Sequence, residues 1–342
     1  MPGWRESVAD RAGGRLPGLG AFVERLAVSH MRRINTVAAV PPTALTACAM
    51  LATPRFAAGE DDLVEQIDHL IALLDVWPRS EQLLVGERDA ARVIERSGRS
   101  ARLRRVAHPW GDLLTVTGRD AVLLTYARNN VCHLFAFPSL IAALFRTRGR
   151  LSVEAVVTAC RALYPFLQSE YYLPWDAVDS ERVARSCLRR MVERGLLHTG
   201  DDDGDLRRPP VNDRAFGSLA TLSRVLGDTL ERYALTLMLL DAERRAGVAI
   251  NRKAFERDCR LLAERLALLS GRRAPEYLDP NVFRGYLDTL VAVGLVRRGS
   301  EDLLLVEARV ERIVERSVEL LSDEVRQTLL QILIRRAQSA AL

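Results

Sequence analysis

The pair His198 and Asp203 has the residue types and spacing, His-x4-Asp, to draw a proton from a hydroxyl group. In such a pair the imidazole acts as general base and the carboxylate orients it. The surrounding residues argue against that use. Asp201, Asp202 and Asp203 stand in a row, and such a row repels a phosphate substrate. Asp and Gly are turn formers, and the stretch follows Gly195-Leu196-Leu197, so it reads as the turn of a hairpin. Arg207 and Arg208 lie near, but no arginine-bearing phosphate block follows at a plausible distance. His108 and Asp112 are one residue too close for the same pattern. No catalytic residue is assigned.

A second polar group is Arg128, Asn129 and Asn130, with His133 just beyond in an apolar stretch. One reading is an Asn that caps the following helix together with hydrogen bonds between domains. The other is a docking surface for a further domain. His133, on an apolar face, reads as a satisfied buried side chain rather than a base or ligand. Tyr171, Tyr172 and Trp175 surround Pro174; they suit a core through their apolar area, or a membrane interface through their polar ends. There is no glycine-rich phosphate loop, no Gly-x-Ser-x-Gly elbow and no metal-ligand cluster, so no metal or cofactor is expected.

Five cysteines (Cys48, Cys132, Cys160, Cys187 and Cys259) form no C-x-x-C pair and sit mostly among apolar neighbours. They read as small hydrophobes in a reducing compartment rather than as disulfides or zinc ligands. The basic residues are almost all arginine, Lys253 being the one lysine, and the net charge is +5. That balance is too modest to imply nucleic acid by itself, although arginine forks suit phosphate and anionic lipid. No signal-peptide pattern opens the sequence. No apolar run reaches the roughly 18–20 residues that a membrane span needs; Val131 to Phe145 is interrupted by His133 and Pro138.

The elements that must carry these residues repeat. Residues 1–36 read as a lead-in with a short amphipathic helix over Ala21 to Ile34, on which Phe22, Leu26 and Met31 share a face; Pro41 and Pro42 stop it. Three apolar helices then begin near Leu45, Leu140 and Leu235, 95 residues apart. A turn with Arg and Gly follows each, and then an amphipathic helix: Asp62 to Leu74, Ser152 to Leu167, Arg252 to Leu269. The second and third units close on a helix, Gly-Leu-Leu or Gly-Leu-Val, a polar turn and a short strand; the first has a looser version, Arg88 to Thr117. A fixed long period signals duplicated supersecondary units. The outline is that of a winged helix. The expected fold is mainly α: three tandem winged-helix-like units, 37–118, 119–209 and 210–308, and C-terminal helices over 309–342.

Several stretches in order carry a resemblance: Met31 to Leu45 (MRRINTVAAVPPTAL), Leu51 to Arg55 (LATPR), Tyr126 to Asn130 (YARNN) and His133 to Ala142 (HLFAFPSLIA). They continue with Leu163 to Leu167 (LYPFL), Leu230 to Tyr233 (LERY), Ala274 to Tyr277 (APEY), Phe283 to Leu287 and Leu321 to Gln327 (LSDEVRQ). The set resembles the C-terminal region of the long bacterial membrane-associated glycerol-3-phosphate 1-O-acyltransferases, over about Met31 to Ile332. The resemblance implies a part in the first step of phospholipid synthesis, transfer of an acyl group from acyl-CoA or acyl-carrier protein to the sn-1 hydroxyl of glycerol 3-phosphate. It implies a peripheral place at the cytoplasmic face of the inner membrane.

In that family a His-x4-Asp domain upstream of the matched region holds the chemistry. The chain is therefore expected to be a non-catalytic scaffold for that catalytic domain, in cis or in trans, with an anionic membrane surface as a second candidate partner. It would meet acyl-CoA or acyl-carrier protein only through the whole enzyme.

The competing expectation is a nucleic-acid-binding winged helix. It rests on Arg182, Arg185, Arg189, Arg190 and Arg194 in the closing helix of unit two. The equivalent helix of unit three, Asn281 to Val293, carries one Arg and one Asp, a poor face for phosphate.

Overall fold

The computed structural model describes residues 19–78, 80–200, 204–270 and 275–340. The chain is mainly α, with fourteen α-helices and short strands among the described residues. Helix α1 (Leu19–Thr36) comes first and ends before Pro41. Strand β1 (Ala39–Val40) leads to α2 (Pro42–Ala52), with Pro42 in the first turn, where its missing N–H costs nothing. Then come β2 (Ala57–Gly59) and α3 (Glu60–Leu74). Glu60, Asp61 and Asp62 in the first turn of α3 complement its dipole, and Leu63, Ile67, Leu70 and Leu74 bury one face. Strand β3 (Leu84–Val85) pairs in parallel with β1, and α4 (Ala90–Ser97), β4 (Arg104–Val106) and β5 (Leu113–Thr115) complete the unit.

The same order recurs twice. After α5 (Gly118–Asn129) run α6 (Ala136–Thr147), β6 (Arg150–Ser152), α7 (Val153–Tyr171), α8 (Ser180–Glu193), β7 (His198–Thr199) and β8 (Asp205–Arg207). After α9 (Arg214–Ser223) run α10 (Gly227–Arg245), β9 (Ile250–Asn251), α11 (Arg252–Ser270), α12 (Pro280–Ala292), β10 (Val296–Arg298) and β11 (Leu303–Val306). Helices α13 (Val310–Val318) and α14 (Asp323–Ala340) close the chain. Ser322 caps α14 by accepting from the Val325 N–H at 3.3 Å.

A short strand, β2, β6 or β9, lies in or just after each stretch read as an Arg- and Gly-containing turn. It pairs antiparallel with the last strand of its unit, giving three three-stranded sheets, β2-β5-β4, β6-β8-β7 and β9-β11-β10. In each, a buried leucine of the central strand stands at the same place: Leu114, Leu206 and Leu304. The leading leucines Leu45, Leu140 and Leu235 are all buried as well.

The closing helices also end alike. Gly195 and Gly294 take the left-handed conformation (φ +69° and +70°), and the next N–H reaches back five residues, Leu196 to the Met191 carbonyl and Leu295 to the Leu290 carbonyl, both 2.9 Å. This is a Schellman closure, which favours glycine. In unit one Arg102 holds that conformation (φ +51°), with Leu103 donating to the Gly98 carbonyl at 3.1 Å.

A fourth helix belongs to the period. Helices α5, α9 and α13 start 96 residues apart, at Gly118, Arg214 and Val310, and each packs back on the first helix of the preceding unit: α2, α6 and α10. Helix α9 also touches α2 and α3, and α12 packs on α7, so one hydrophobic core runs through the repeats. Among the described residues no single helix is long and apolar enough to cross a membrane.

The Asn cap expected on the apolar segment is not made. Arg128 and Asn129 form the last turn of α5, and Asn130 is its C-terminal cap. His133 sits in a 3-10 turn, Cys132–Phe135, that runs straight into α6, and the His133 carbonyl accepts from the Ala136 N–H that opens the helix.

Candidate functional site

His198 is exposed on β7, opposite Arg207 of β8. Gly200 N–H donates to the Asp205 carbonyl at 2.7 Å and Gly204 is left-handed, as a hairpin requires. Asp201, Asp202 and Asp203 lie outside the described residues. Among the described residues no group of three or more His, Cys, Asp or Glu is placed to hold a metal ion. All five cysteines are buried and unbridged, and burial raises every thiol pKa.

The polar group at the end of α5 faces two ways. Arg128 is buried; its guanidinium pairs with Glu276 and, at 3.4 Å, with Asp228 at the start of α10. Burial opposes its charge, but the Asp228 and Glu276 carboxylates hold it protonated, with its pKa above the usual arginine value. Asn129 accepts from Arg128 Nε and Nη2, both at 3.2 Å, while Asn129 and Asn130 are themselves exposed.

Beside this pair lies a second buried one. Arg232 of α10 pairs with Glu170 of α7, and Thr229 donates to the same carboxylate at 2.9 Å. The hydroxyls of Tyr171 and Thr229 are 2.6 Å apart. These bonds fasten α5 and α7 to the third unit. The sequence singled out Tyr171 but missed the pairing of Arg232 with Glu170; the charges Glu231 and Arg232 at the head of the mostly apolar run Tyr233 to Leu240 were the available signal.

His133 is buried against Trp77, ring centroids 5.3 Å apart and nearly perpendicular. Trp77 in turn meets Trp175 at 4.8 Å, and Trp175 meets Phe137 and Tyr164. Burial pushes the His133 pKa down to about 4, against a hydrogen bond to the Asn35 backbone that acts the other way. A neutral, enclosed imidazole of this kind is a packing group, and Trp175 is core rather than interface. Tyr172 takes the left-handed cap of α7 (φ +49°).

Helix α1 meets the body along one narrow face and buries no residue fully. Val28, Arg32 and Asn35 lie toward the body, where Asn35 donates to the Tyr171 carbonyl at 2.7 Å and Val28 and Arg32 line hollows against α7 and α12. The face at helical spacing from Leu19 through Phe22, Val23, Leu26 and Ile34 is turned to solvent, each side chain 45–58% exposed. Its helical period was legible, but not that its apolar side would lie uncovered.

The family model of the glycerol-3-phosphate acyltransferase C-terminal region matches residues 1–299. The chain belongs to that family. Among curated relatives, a glycerol-3-phosphate acyltransferase of Xanthomonas axonopodis pv. citri (strain 306) is 35% identical over 314 residues, 91% of this chain and 35% of that protein. One of Pseudomonas savastanoi pv. phaseolicola is 33% identical over 335 residues, 97% and 39% respectively. One of Xylella fastidiosa is 34% identical over 317 residues, 92% and 36%. The chain thus spans well under half the length of the curated relatives it matches.

Proposed function

We propose that this chain is the scaffold region of a glycerol-3-phosphate acyltransferase: it carries no acyl-transfer chemistry itself and holds the catalytic region that such enzymes keep outside the matched segment. The observation that carries the reading is the outward apolar face of α1. A solvent-facing row of Leu19, Phe22, Val23, Leu26 and Ile34, on a helix with no buried residue, is the surface of a helix whose partner lies elsewhere. The relatives' unmatched length, more than half of each, supplies a partner of the right kind.

Arg128, Asn129, Asn130 and His133 take a different part in this reading. Arg128 and His133 serve inside the chain, and only Asn129 and Asn130 offer exposed polar groups to a docked domain. The repeats 37–118, 119–209 and 210–308 are taken as winged-helix units used as spacers, each tied back by α5, α9 or α13. Acyl-CoA or acyl-carrier protein reaches the assembly through the catalytic region. The place of action is the cytoplasmic face of the inner membrane, peripherally; Arg25 and Arg33 on α1 favour some contact with anionic lipid.

Nucleic-acid binding is the weaker reading. Arg182, Arg185 and Arg190 of α8 pair with Asp179, with Glu154 and Glu181, and with Asp75 and Glu193. Arg194 pairs with Asp68. Arginines engaged in this way have little charge to spare for phosphates.

The test is an acylation assay of the purified chain with glycerol 3-phosphate and a long-chain acyl-CoA. No product is expected from the chain alone. Turnover that disappears in His198→Ala would refute the scaffold reading, and salt-sensitive binding to duplex DNA without binding to a catalytic region would favour the alternative.

A further inference from the structure

A groove of about 710 Å³ runs along α7 between the second and third units. Small side chains of α7 line it at helical spacing, Ala155, Thr158, Ala159 and Ala162, so the helix leaves space where larger residues would fill it. Leu144 and Leu151 come from the second unit, and Leu295, Ile313 and Leu320 from the third unit and the helix behind it. Pro165, also in the lining, has no N–H, so the Arg161 carbonyl on this turn lacks its helical donor.

The charges are uneven. Arg148 and Glu319, both in the lining, pair with each other. Glu154 is taken by Arg185 at 2.6 Å. Arg161 of α7 and Arg316 of α13 remain, exposed and without an acidic partner among the described residues. An apolar trough with two uncompensated arginines complements one apolar chain that ends in an anion. Its size lies in the ordinary range of small-molecule sites, about 300–1,000 Å³.

We propose that this groove binds a single-chain phosphate amphiphile, with the acyl chain along Ala155, Ala159 and Ala162 and the phosphate between Arg161 and Arg316. The choice of head group rests on the acyltransferase reading. Acyl transfer to glycerol 3-phosphate yields a single-chain phosphate monoester of this shape. The groove is then a holding site for the product, from which a second acylation would consume it.

Isothermal titration of the full chain tests this, with 1-lauroyl-glycerol 3-phosphate below its micelle concentration, and with 1-lauroyl-glycerol and inorganic phosphate as separate titrants. The phosphate amphiphile is expected to bind one to one. It should bind at least tenfold tighter than the neutral monoester, while inorganic phosphate gives no saturable signal. The double variant Arg161→Ala/Arg316→Ala should lose that tenfold preference and keep the weaker neutral binding. Ala162→Leu, at an exposed position that folds without strain, should weaken both amphiphiles; Ala155→Leu is the second such variant.

No one-to-one binding, equal affinity for the two amphiphiles, or unchanged affinity in all the variants overturns the proposal. So does a result in which Ala162→Leu abolishes capture of a catalytic region and leaves amphiphile binding intact. Capture of a catalytic region is measured on the same samples. Amphiphile binding without capture sinks the scaffold reading and keeps the groove, and capture without amphiphile binding does the reverse.

Discussion

At the scale of single residues, the titratable group that reports most on the fold is His133. In the unfolded chain it takes a proton near pH 6.5; enclosed by Trp77 and its neighbours it does so only near 4. Folding therefore gains stability from a neutral His133 that is complete above pH 6.5 and is lost as pH falls from 6.5 towards 4, at most about 3 kcal/mol. His69, lowered by burial and by Arg194, acts in the same direction. Urea unfolding of His133→Phe, which keeps an aromatic ring beside Trp77, should show a shallower loss of stability between pH 6.5 and 4.5 than the parent; parallel pH profiles would contradict the assignment. The sequence made His133 a buried side chain because its neighbours are apolar. It left Arg128 open between helix cap and docking group, because the partners Asp228 and Glu276 are 100 and 148 residues away and no local pattern reaches that far.

Among the elements, the Schellman closure is where sequence and geometry can be compared three times over. Gly195 and Gly294 marked the ends of α8 and α12 plainly, since glycine is the residue that takes this conformation without strain. The first unit read as looser because Arg102 stands in the same place. A non-glycine residue there costs about 1–2 kcal/mol, and its exposed pair with Asp120 returns less than about 1 kcal/mol. Arg102→Gly is expected to raise stability by about 0.5–1 kcal/mol, while Gly294→Ala, whose Cβ would meet Arg309 Nη2 at 3.0 Å, should lower it by a similar or larger amount. Thermal denaturation reads both, and a destabilised Arg102→Gly would mean that the side chain holds the turn by contacts of its own. The strands β2, β6 and β9 were not legible, since two or three residues are too few to show alternation. Helix α1 was legible by its period, but a period does not say which face meets the body.

For the whole molecule, the 95-residue spacing of Leu45, Leu140 and Leu235 gave the repeat, and the 96-residue spacing of α5, α9 and α13 extends it to a helix that returns to each preceding unit. Such backward packing, with α12 on α7, makes the described chain one continuous core. A continuous core with one outward-facing apolar helix is suited to hold another domain in place. The direct measurement is size-exclusion chromatography of the chain mixed with a separately expressed catalytic region of a related glycerol-3-phosphate acyltransferase. Co-elution as one complex is expected, lost in the double variant Phe22→Ser/Leu26→Ser while its thermal midpoint stays within a degree or two of the parent, because both side chains are exposed. Separate elution of the two parent proteins, or co-elution that the α1 variant leaves unchanged, would contradict it.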